Sequence, residues 1–433
     1  MVRNILLGVG IFAALLAILI FSGKLPVGGN NATKPVGEVV IWGTLPQSDM
    51  DNIAQEFNPQ ANTYRVTYKE VREDVFTQTL LEALANGTGP DMIIAPHQII
   101  LQEANRLTPF PANSLSETTY KNTYVDGASI FYSPSGAIAL PVSIDPLVLF
   151  YNRTLFSKHG IINPPSYWDE LPTMVPRLTS LDTRGGFVES GISVGSPNAP
   201  YAKDVMMAIV EQLGQTPTLK QFNQDGTPYI SVLANTPTSS TGTISPLATV
   251  VRFLSQFGDS TGTTYAWSDF TGNGSDQFVA EKLAMYIGYS GEYMSLKARN
   301  PKGDFGMATL PQTRGYNTFS TGALLYGIAT LKTSKNPVTA LTVEGQFAGG
   351  GISPAIASIS GAVPALRGYA TTQGLDPVIA RSMLVAHPWY DSFPVQSNTL
   401  TATMFSDVLN GRQGVTDATS MFVGRLQDLY TPH

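Results

Sequence analysis

Strand-length and helix-length apolar patterns alternate along the first part of the chain. Glu38 to Gly43 has the composition of a buried strand, and apolar residues then recur at helical spacing. Tyr64 to Tyr68 alternates like a strand, and a helix that Asp74 is expected to cap follows it. Pro90 to Ala95 has the pattern of a third strand. This order predicts a parallel sheet covered by helices on both faces.

Two apolar runs meet around one carboxylate between Ala137 and Asn152. Pro141 and Pro146 interrupt the runs, and Asp145 lies between them. A charge inside an apolar segment is costly unless water, a partner or a ligand satisfies it. The residues alone favour two strands joined by an exposed turn. The alternative is a crossing between two lobes, with Asp145 facing a cleft.

The hydrophobic pattern is weaker in the middle of the chain and becomes clearer again towards its end. Only two helices are predicted in the loop-rich region 182–274, at Lys203 to Leu213 and Leu247 to Phe257. Strands are predicted at Leu283 to Gly288 and at Phe305 to Leu310. Asn336 is expected to cap a helix whose first position is Pro337.

The N-terminus carries an apolar run of membrane-spanning character. Ile5 to Phe21 is uninterrupted, Arg3 precedes it, and bulky residues occupy the positions where a cleavage site needs small ones. We therefore expect residues 1–24 to form an uncleaved transmembrane signal anchor, with a cleaved secretory signal as the alternative. Residues 25–37 are rich in Gly, Asn and Pro and are expected to be a flexible tether.

Length and composition limit the classes of function that are compatible with the chain. A chain of 433 residues predicts two or three folding units. The formal net charge is −6 and no basic run is present, which argues against nucleic-acid binding. The chain has no cysteine, so disulfides, thiolate metal sites and thiol catalysis are excluded.

No arrangement of residues indicates catalysis or a bound metal. The four histidines, at positions 97, 159, 387 and 433, show no helical ligand spacing. The segment Gly288 to Glu292 only superficially resembles a nucleophile elbow, and no phosphate-binding loop is present. We expect a protein that is not an enzyme and needs no cofactor or metal.

Several separated motifs, taken together, resemble one known family. They run from about Gly37 to Tyr430 and are GEVVIWGT, ALANGTGPDMII, ALPVSIDPLVLFYNRTLFSKHGI with NPPSYWDEL, DQFVAEKLAMYIGYSGEYM, DFGMATLP, TSKNPVTAL, GAVPALRGY and LNGRQGVTDATSMFVGRLQDL. Their order resembles that of the extracellular solute-binding proteins of ABC importers, in the carbohydrate-binding group of the maltodextrin-binding proteins.

The resemblance implies an α/β, two-lobed, periplasmic-binding-protein-like fold with several hinge crossings. The crossings would fall at Asp145, near Leu310-Pro311 and near Gly361 to Pro364. The N-lobe would be 38–144 plus 312–360, and the C-lobe 146–309 plus 365–433. Solute would bind in the cleft between the lobes.

The resemblance also implies a set of ligand-binding residues. Asp145 would take the place of an acid that hydrogen-bonds sugar hydroxyls. The other candidates follow predicted strands or precede the penultimate helix; they are Thr44, Gln47, His97, Gln98, Tyr289, Ser290, Tyr293 and Asn398. In such sheets ligands lie at the carboxyl ends of strands, which independently favours the loops at Thr44 and at His97.

The tryptophans that the resembled proteins place around their sugar are missing at the corresponding positions of this chain. Ala95 and the positions near Gly291 and Asn398 lack an aromatic ring. Rings that could pack against the apolar face of a sugar are those of Tyr289, Tyr293, Trp267, Trp389 and Tyr390. Lys203 and Arg314 are isolated cations along the sequence and are weaker candidates for contact with an anionic ligand.

The expected function is extracytoplasmic solute binding. The protein would capture a small polar solute, a sugar or oligosaccharide, and deliver it to the permease subunits of an ABC importer. We expect a monomer, held at the outer face of the cell membrane by its N-terminal helix, or secreted or periplasmic if that helix is cleaved. The alternatives are a ligand sensor that feeds a signalling partner and an extracytoplasmic carbohydrate-active enzyme.

Overall fold

The computed structural model describes residues 36–61, 63–216, 218–222, 228–232 and 245–431. The expected anchor at 1–24 and the tether up to residue 35 lie outside the described residues. Within the described part of the chain, no helix combines the length and the apolar character that crossing a membrane requires.

The strands of the described residues are, in chain order, β1 Gly37–Gly43, β2 Tyr64–Glu70, β3 Met92–Pro96, β4 Leu107–Thr108, β5 Phe110–Pro111, β6 Tyr132–Ser133, β7 Gly136–Ala137, β8 Leu140–Asn152, β9 Ser180–Leu181, β10 Phe187–Ile192, β11 Thr218–Phe222, β12 Pro228–Val232, β13 Leu283–Tyr289, β14 Phe305–Thr309, β15 Thr321–Leu331, β16 Val363–Pro364 and β17 Ala386–His387.

The α-helices are α1 Gln47–Ala61, α2 Phe76–Ala85, α3 His97–Gln102, α4 Glu117–Thr123, α5 Arg153–Lys158, α6 Leu171–Leu178, α7 Ala202–Gln212, α8 Pro246–Ser255, α9 Gly274–Val279, α10 Glu292–Arg299, α11 Pro337–Phe347, α12 Ser353–Ile359, α13 Pro377–Ser382, α14 Pro394–Leu409 and α15 Val415–Tyr430.

The chain divides into two compact units, each made from two stretches of sequence. Unit 1 comprises the described residues up to Ile144 together with Leu325–Tyr369. Unit 2 comprises Asp145–Leu324 and the described residues from Ala370 onward. The sequence placed the crossings at 145, 310–311 and 361–364, whereas these units divide at 144/145, 324/325 and 369/370. The assignment of the units to two closing lobes stays a prediction.

Unit 1 contains the parallel sheet that the N-terminal pattern predicts. β1 pairs in parallel with β2 on one side and with β3 on the other, so that part of the prediction is confirmed. β15 then runs antiparallel to β3, from Tyr326 opposite Pro96 to Thr330 opposite Met92. β3 is buried along its whole length, as expected for a central strand.

Two predicted helix caps in unit 1 are wrong because their side chains have other partners. The Asp74 carboxylate pairs with the Arg72 guanidinium, and α2 begins at Phe76 without a side-chain cap. The Asn336 side chain donates through Nδ2 to the Glu38 carbonyl at 2.8 Å instead of accepting from its own helix. α11 nevertheless begins at the predicted proline, because its fixed φ and missing N–H suit a first helical position.

The stretch around Asp145 is one continuous strand, β8, and the expected exposed turn is wrong. Ser143 and Ile144 pair with β16, and pairing with β13 begins at Leu147. Pro146 falls between these two paired segments, so its missing N–H interrupts no ladder. Pro146 therefore marks a change of pairing partner and not a turn.

Alternate residues of β8 enter two different cores of unit 2. Leu147 and Leu149 belong to a cluster that includes residues of α7, α8 and α15. Val148 and Phe150 belong to a second cluster, with Phe278, Trp267 and others. Side chains of a strand alternate between faces, so this sheet is covered on both sides. Trp267 is only 1% exposed, which removes it from the candidate sugar-stacking rings.

Candidate functional site

Asp145 is held in unit 2 by the loop that follows β13. Its Oδ1 accepts hydrogen bonds from Ser290 Oγ at 2.6 Å and from the Gly291 N–H at 3.0 Å. The side chain is 7% exposed. Burial raises the pKa of Asp145 to about 6, and the two hydrogen bonds oppose this rise by stabilising the charged form. At neutral pH the carboxylate is therefore largely ionised and can accept further hydrogen bonds.

Tyr289 connects this loop to the start of α7. It is the last residue of β13, and its hydroxyl lowers the pKa of the nearby Asp204 carboxyl. Its ring meets the ring of Tyr201 edge to face, with centroids 5.0 Å apart. Burial raises the pKa of Tyr289 well above its usual value, so the hydroxyl remains protonated and acts as the donor.

Tyr201 has a strained backbone directly before the N-terminus of α7. Its φ is +51°, in the left-handed region that a residue with a Cβ rarely adopts. It stands immediately before the first residue of α7, and the nearby Glu292 carboxylate, together with burial, raises the pKa of its hydroxyl. Glu292 also accepts from the Tyr286 hydroxyl at 2.7 Å and from the Tyr289 N–H at 2.9 Å. Packing and hydrogen bonds thus hold the Tyr201 ring in one position despite the strain.

A cavity of about 210 Å³ opens beside these residues, entirely within unit 2. It offers an aromatic ring, a carboxylate, an amide and a hydroxyl among small apolar groups. Its lining residues are Pro197, Ala199, Tyr201, Ala202, Lys203, Asp204, Asn398 and Thr401. Such a mixture of one ring and several polar groups suits a ligand with an apolar face and polar edges.

Lys203, on the wall of this cavity, is not the isolated cation that the sequence suggested. Its ammonium donates to Asp391 Oδ2 at 2.6 Å and to Ser397 Oγ at 3.0 Å. The nitrogen also lies 5.2 Å from the centroid of the Trp389 ring. The side chains of Lys203 and Asp391 are 6% and 2% exposed, so the pair is buried and its charges compensate each other.

Arg314 has charged partners as well. Its guanidinium donates to Asp169 at 2.8 Å and lies 3.9 Å from the centroid of the Tyr167 ring. The proposed contact of either cation with an anionic ligand therefore loses its basis, since each positive charge is already paired.

Asn398 lies inside a helix, which corrects its expected position before the penultimate helix. α14 begins at Pro394, whose ring favours the first helical position, and Asn398 follows one turn later. Its side chain is exposed and lines the cavity.

Tyr293 occupies a different place from the cavity residues. It is the second residue of α10, and its ring stacks on Phe150 at an interplanar angle of 10° with centroids 6.2 Å apart. One face of the Tyr293 ring is therefore already covered by the core of unit 2.

The other four candidate residues belong to unit 1. Thr44 Oγ1 lies 3.2 Å from the Tyr326 hydroxyl. Gln47 is the first residue of α1, and its amide bonds the Asp51 carboxylate, the Tyr68 carbonyl and the Glu70 N–H. The Gln47 side chain therefore connects α1 to β2.

His97 and Gln98 open α3, directly after β3. The His97 ring is 2% exposed, and its Nδ1 accepts from the Leu325 N–H at 3.4 Å. Gln98 Oε1 is buried and has no hydrogen-bond partner among the described residues. Ligand contact by these unit 1 residues stays a prediction.

The structure thus brings Asp145, Tyr289 and Ser290 together, and it adds Tyr201 and Asp204, which the sequence did not single out. An acidic residue in the first turn of a predicted helix has an ordinary explanation, the favourable interaction with the helix dipole. The left-handed backbone of Tyr201 has no sequence signature. A proline and an aromatic residue directly before the predicted helix were the only available signal.

Comparisons with known proteins agree with this architecture. The sequence model of the family described as bacterial extracellular solute-binding protein matches residues 42–343, well over half of the chain. A protein of Brucella abortus (strain 2308), named as a candidate binding protein, is 24% identical over 135 residues. That match spans 30% of this chain and 32% of the relative, so it covers about a third of the relative's length.

Two solved structures have a similar fold. The cyclic alpha-maltosyl-1,6-maltose binding protein from Arthrobacter globiformis is 19% identical, with a TM-score of 0.71 over 92% of this chain and 100% of that one. An ABC substrate-binding protein from Listeria monocytogenes, in complex with cycloalternan, is 17% identical, with a TM-score of 0.68 over 91% of this chain and 99% of that one. At this identity the similarity establishes a shared fold.

Proposed function

Because the chain belongs to the family of bacterial extracellular solute-binding proteins, we propose that it binds a sugar or oligosaccharide and delivers it to an ABC importer. The observation that carries the sugar assignment is the cavity of unit 2, where the Tyr201 ring stands beside Asp204, Asn398 and Thr401. A sugar ring has an apolar face that packs on an aromatic ring and hydroxyls that need donors and acceptors around them.

Asp145 is proposed as a second contact for the solute. Its two hydrogen bonds from Ser290 and Gly291 converge on Oδ1 and fix the direction of the carboxylate. We assign Oδ2 to a solute hydroxyl. Because the group is mostly buried, such a hydrogen bond would form in a low-dielectric environment, where it is stronger than in water.

The solved relatives support the same ligand class. One is named for binding a cyclic maltosyl-maltose and the other was solved with cycloalternan. The second is also named as a substrate-binding protein of an ABC system, which supports a permease as the partner. We further propose that residues 1–24 hold the protein at the outer face of the membrane. Mass spectrometry of the mature protein tests that proposal, because a chain that begins near residue 23 would overturn it.

The direct test of the function is a thermal-shift screen of the purified chain against neutral oligosaccharides, amino acids and polyols. A ligand present at about 100 times its Kd stabilises the folded state by roughly 2.7 kcal/mol, and its binding raises Tm. We expect an oligosaccharide to give the shift. If an amino acid or polyol shifts Tm and no sugar does, the sugar assignment is wrong.

The cavity is tested by Tyr201→Ala, which removes the ring, with Tyr316→Ala as the matched control. Tyr316 is 49% exposed and lies outside the cavity. The first variant should weaken the sugar identified in the screen at least tenfold, and the control should bind like the unmodified chain. Equal affinities for the two variants would remove the cavity from the site.

A further inference from the structure

The Lys203 ammonium at the cavity of unit 2 is shared between two carboxylates, those of Asp391 and Asp204. Lys203 is the positive group on the wall, and its hydrogen bonds go to Asp391 and Ser397. Asp204 lines the same cavity and is half-buried. Burial raises the pKa of Asp204, and the Lys203 ammonium and the Tyr289 hydroxyl lower it. Since Lys203 already pairs with Asp391, it compensates the charge of Asp204 only in part.

The elements packed against Asp204 add negative charge. Asp391 lies in the segment before α14, and Glu292 and Asp145 both act electrostatically on Tyr289. Among the residues that line the cavity, Lys203 supplies the positive charge. The first turn of α7 favours a negative charge at Asp204, because its free N–H groups point toward that end of the helix. The electrostatic field in the cavity is therefore negative.

We propose that Asp204 is a specificity-determining residue that selects a solute bearing a protonated amino group, an amino sugar, over its neutral and anionic counterparts. This inference rests on the proposed sugar-binding function of the same cavity. An ammonium on the sugar would donate to Asp204 and supply the counter-charge that Lys203 provides only in part. A uronate would bring a further negative charge into a cavity whose lysine is already paired, and would be excluded.

The chemistry of the lining side chains supports selection by Asp204 in particular. Asn398 and Thr401 carry neutral polar groups that accept any hydroxyl-bearing ring equally. Tyr201 contributes a ring face that does not distinguish an amine from a hydroxyl at the sugar edge. Only Asp204 differs in its interaction with an ammonium, a hydroxyl and a carboxylate.

The test is isothermal titration calorimetry on the full chain with the glucosamine trimer, cellotriose, maltotriose and trigalacturonate. We expect the glucosamine trimer to bind at least tenfold more tightly than either neutral trimer, and trigalacturonate to bind most weakly. Asp204→Asn should remove the preference for the amine, so that the glucosamine trimer and cellotriose bind this variant with affinities within about threefold of each other. Asp428→Asn, at an exposed aspartate of the same unit, should keep the preference.

The outcomes separate the two proposals. If neutral trimers bind as tightly as the glucosamine trimer, or Asp204→Asn keeps the preference, the role of Asp204 is wrong while sugar binding stands. If none of the four sugars binds, both proposals are overturned. A second measurement on the unmodified chain guards against misfolding of the variant: raising NaCl from 20 to 500 mM should weaken the glucosamine trimer more than cellotriose, and equal salt effects would count against the inference.

Discussion

Glu344 is a buried carboxyl in the core of unit 1 and makes the stability of this unit depend on pH. It lies on α11 and is 0% exposed. Its Oε2 accepts from the Thr330 hydroxyl at 2.7 Å, and its Oε1 has no hydrogen-bond partner among the described residues. Burial raises the pKa of Glu344 from 4.5 to about 8, so the folded protein keeps this group protonated at neutral pH.

The direction of this pH dependence follows from the number of protons that Glu344 binds in the folded and in the unfolded chain. Below about pH 4.5 both folded and unfolded chains are protonated at Glu344, and the group adds no pH dependence. Between 4.5 and 8 the unfolded chain loses the proton and the folded chain retains it, so the free energy of unfolding falls as pH rises. Each pH unit is worth about 1.4 kcal/mol, and the loss between pH 5 and pH 8 amounts to roughly 3 kcal/mol.

Glu344→Gln, which is neutral at every pH, should remove this loss. Urea unfolding at pH 5, 6.5 and 8 measures the difference in unfolding free energy between the variant and the unmodified chain. We expect that difference to move in favour of the variant by roughly 3 kcal/mol across the range. Hydrogen exchange in α11 peptides assigns the change to unit 1.

Glu38→Gln, at an exposed glutamate of the same unit, is the control and should show no comparable trend. A constant difference between Glu344→Gln and the unmodified chain from pH 5 to pH 8 would refute the reasoning. It would mean that Glu344 ionises in the folded state at its ordinary pKa.

Four further substitutions test other contacts. Asp145→Asn should weaken a bound sugar about tenfold or more in calorimetry with Tm nearly unchanged, and an unaltered affinity would exclude Asp145 from the site. Lys203→Met should lower the unfolding free energy measured in urea by about 3 kcal/mol, because it leaves Asp391 buried and unpaired. Arg314→Met should have little effect, since that pair is exposed, and equal losses for the two variants would contradict this account. Glu281 has a φ of +57°, so Glu281→Gly should raise the unfolding free energy by up to about 1 kcal/mol, and a clear loss would show that its bond from Asn300 outweighs the strain.

Sequence patterns predicted the elements whose contacts are local in the sequence or do not require one particular partner residue. β1 and β3 were recognisable because a central parallel strand is largely apolar and needs no specific partner, and β2 because its residues alternate. α11 began where Pro337 predicted it. The cap at Asp74 failed because a local side chain, Arg72, competes for the same carboxylate, and propensity does not rank such competitors.

The site was less predictable because its geometry depends on contacts far apart along the chain. Asp145 was identified as an unusual carboxylate, but Ser290 Oγ, which orients it, is 145 residues away. The buried pair of Lys203 and Asp391 spans 188 residues, so Lys203 looked unpaired in the sequence. Tyr201 owes its position to a backbone conformation that composition does not encode.

The interleaved composition of the two units has a consequence for the order of folding during synthesis. Unit 1 lacks part of its sheet until β15 and β16 have been made, and its second stretch ends only at Tyr369. Unit 2 lacks Asp391, the partner of Lys203, until still later. Neither unit can complete its fold before about three quarters of the chain has been synthesised. Its long-range contacts form only once the distant segments of sequence are present. The growing chain therefore stays incompletely folded until nearly all of it has been synthesised. Such a state suits a protein that passes through a membrane before it folds.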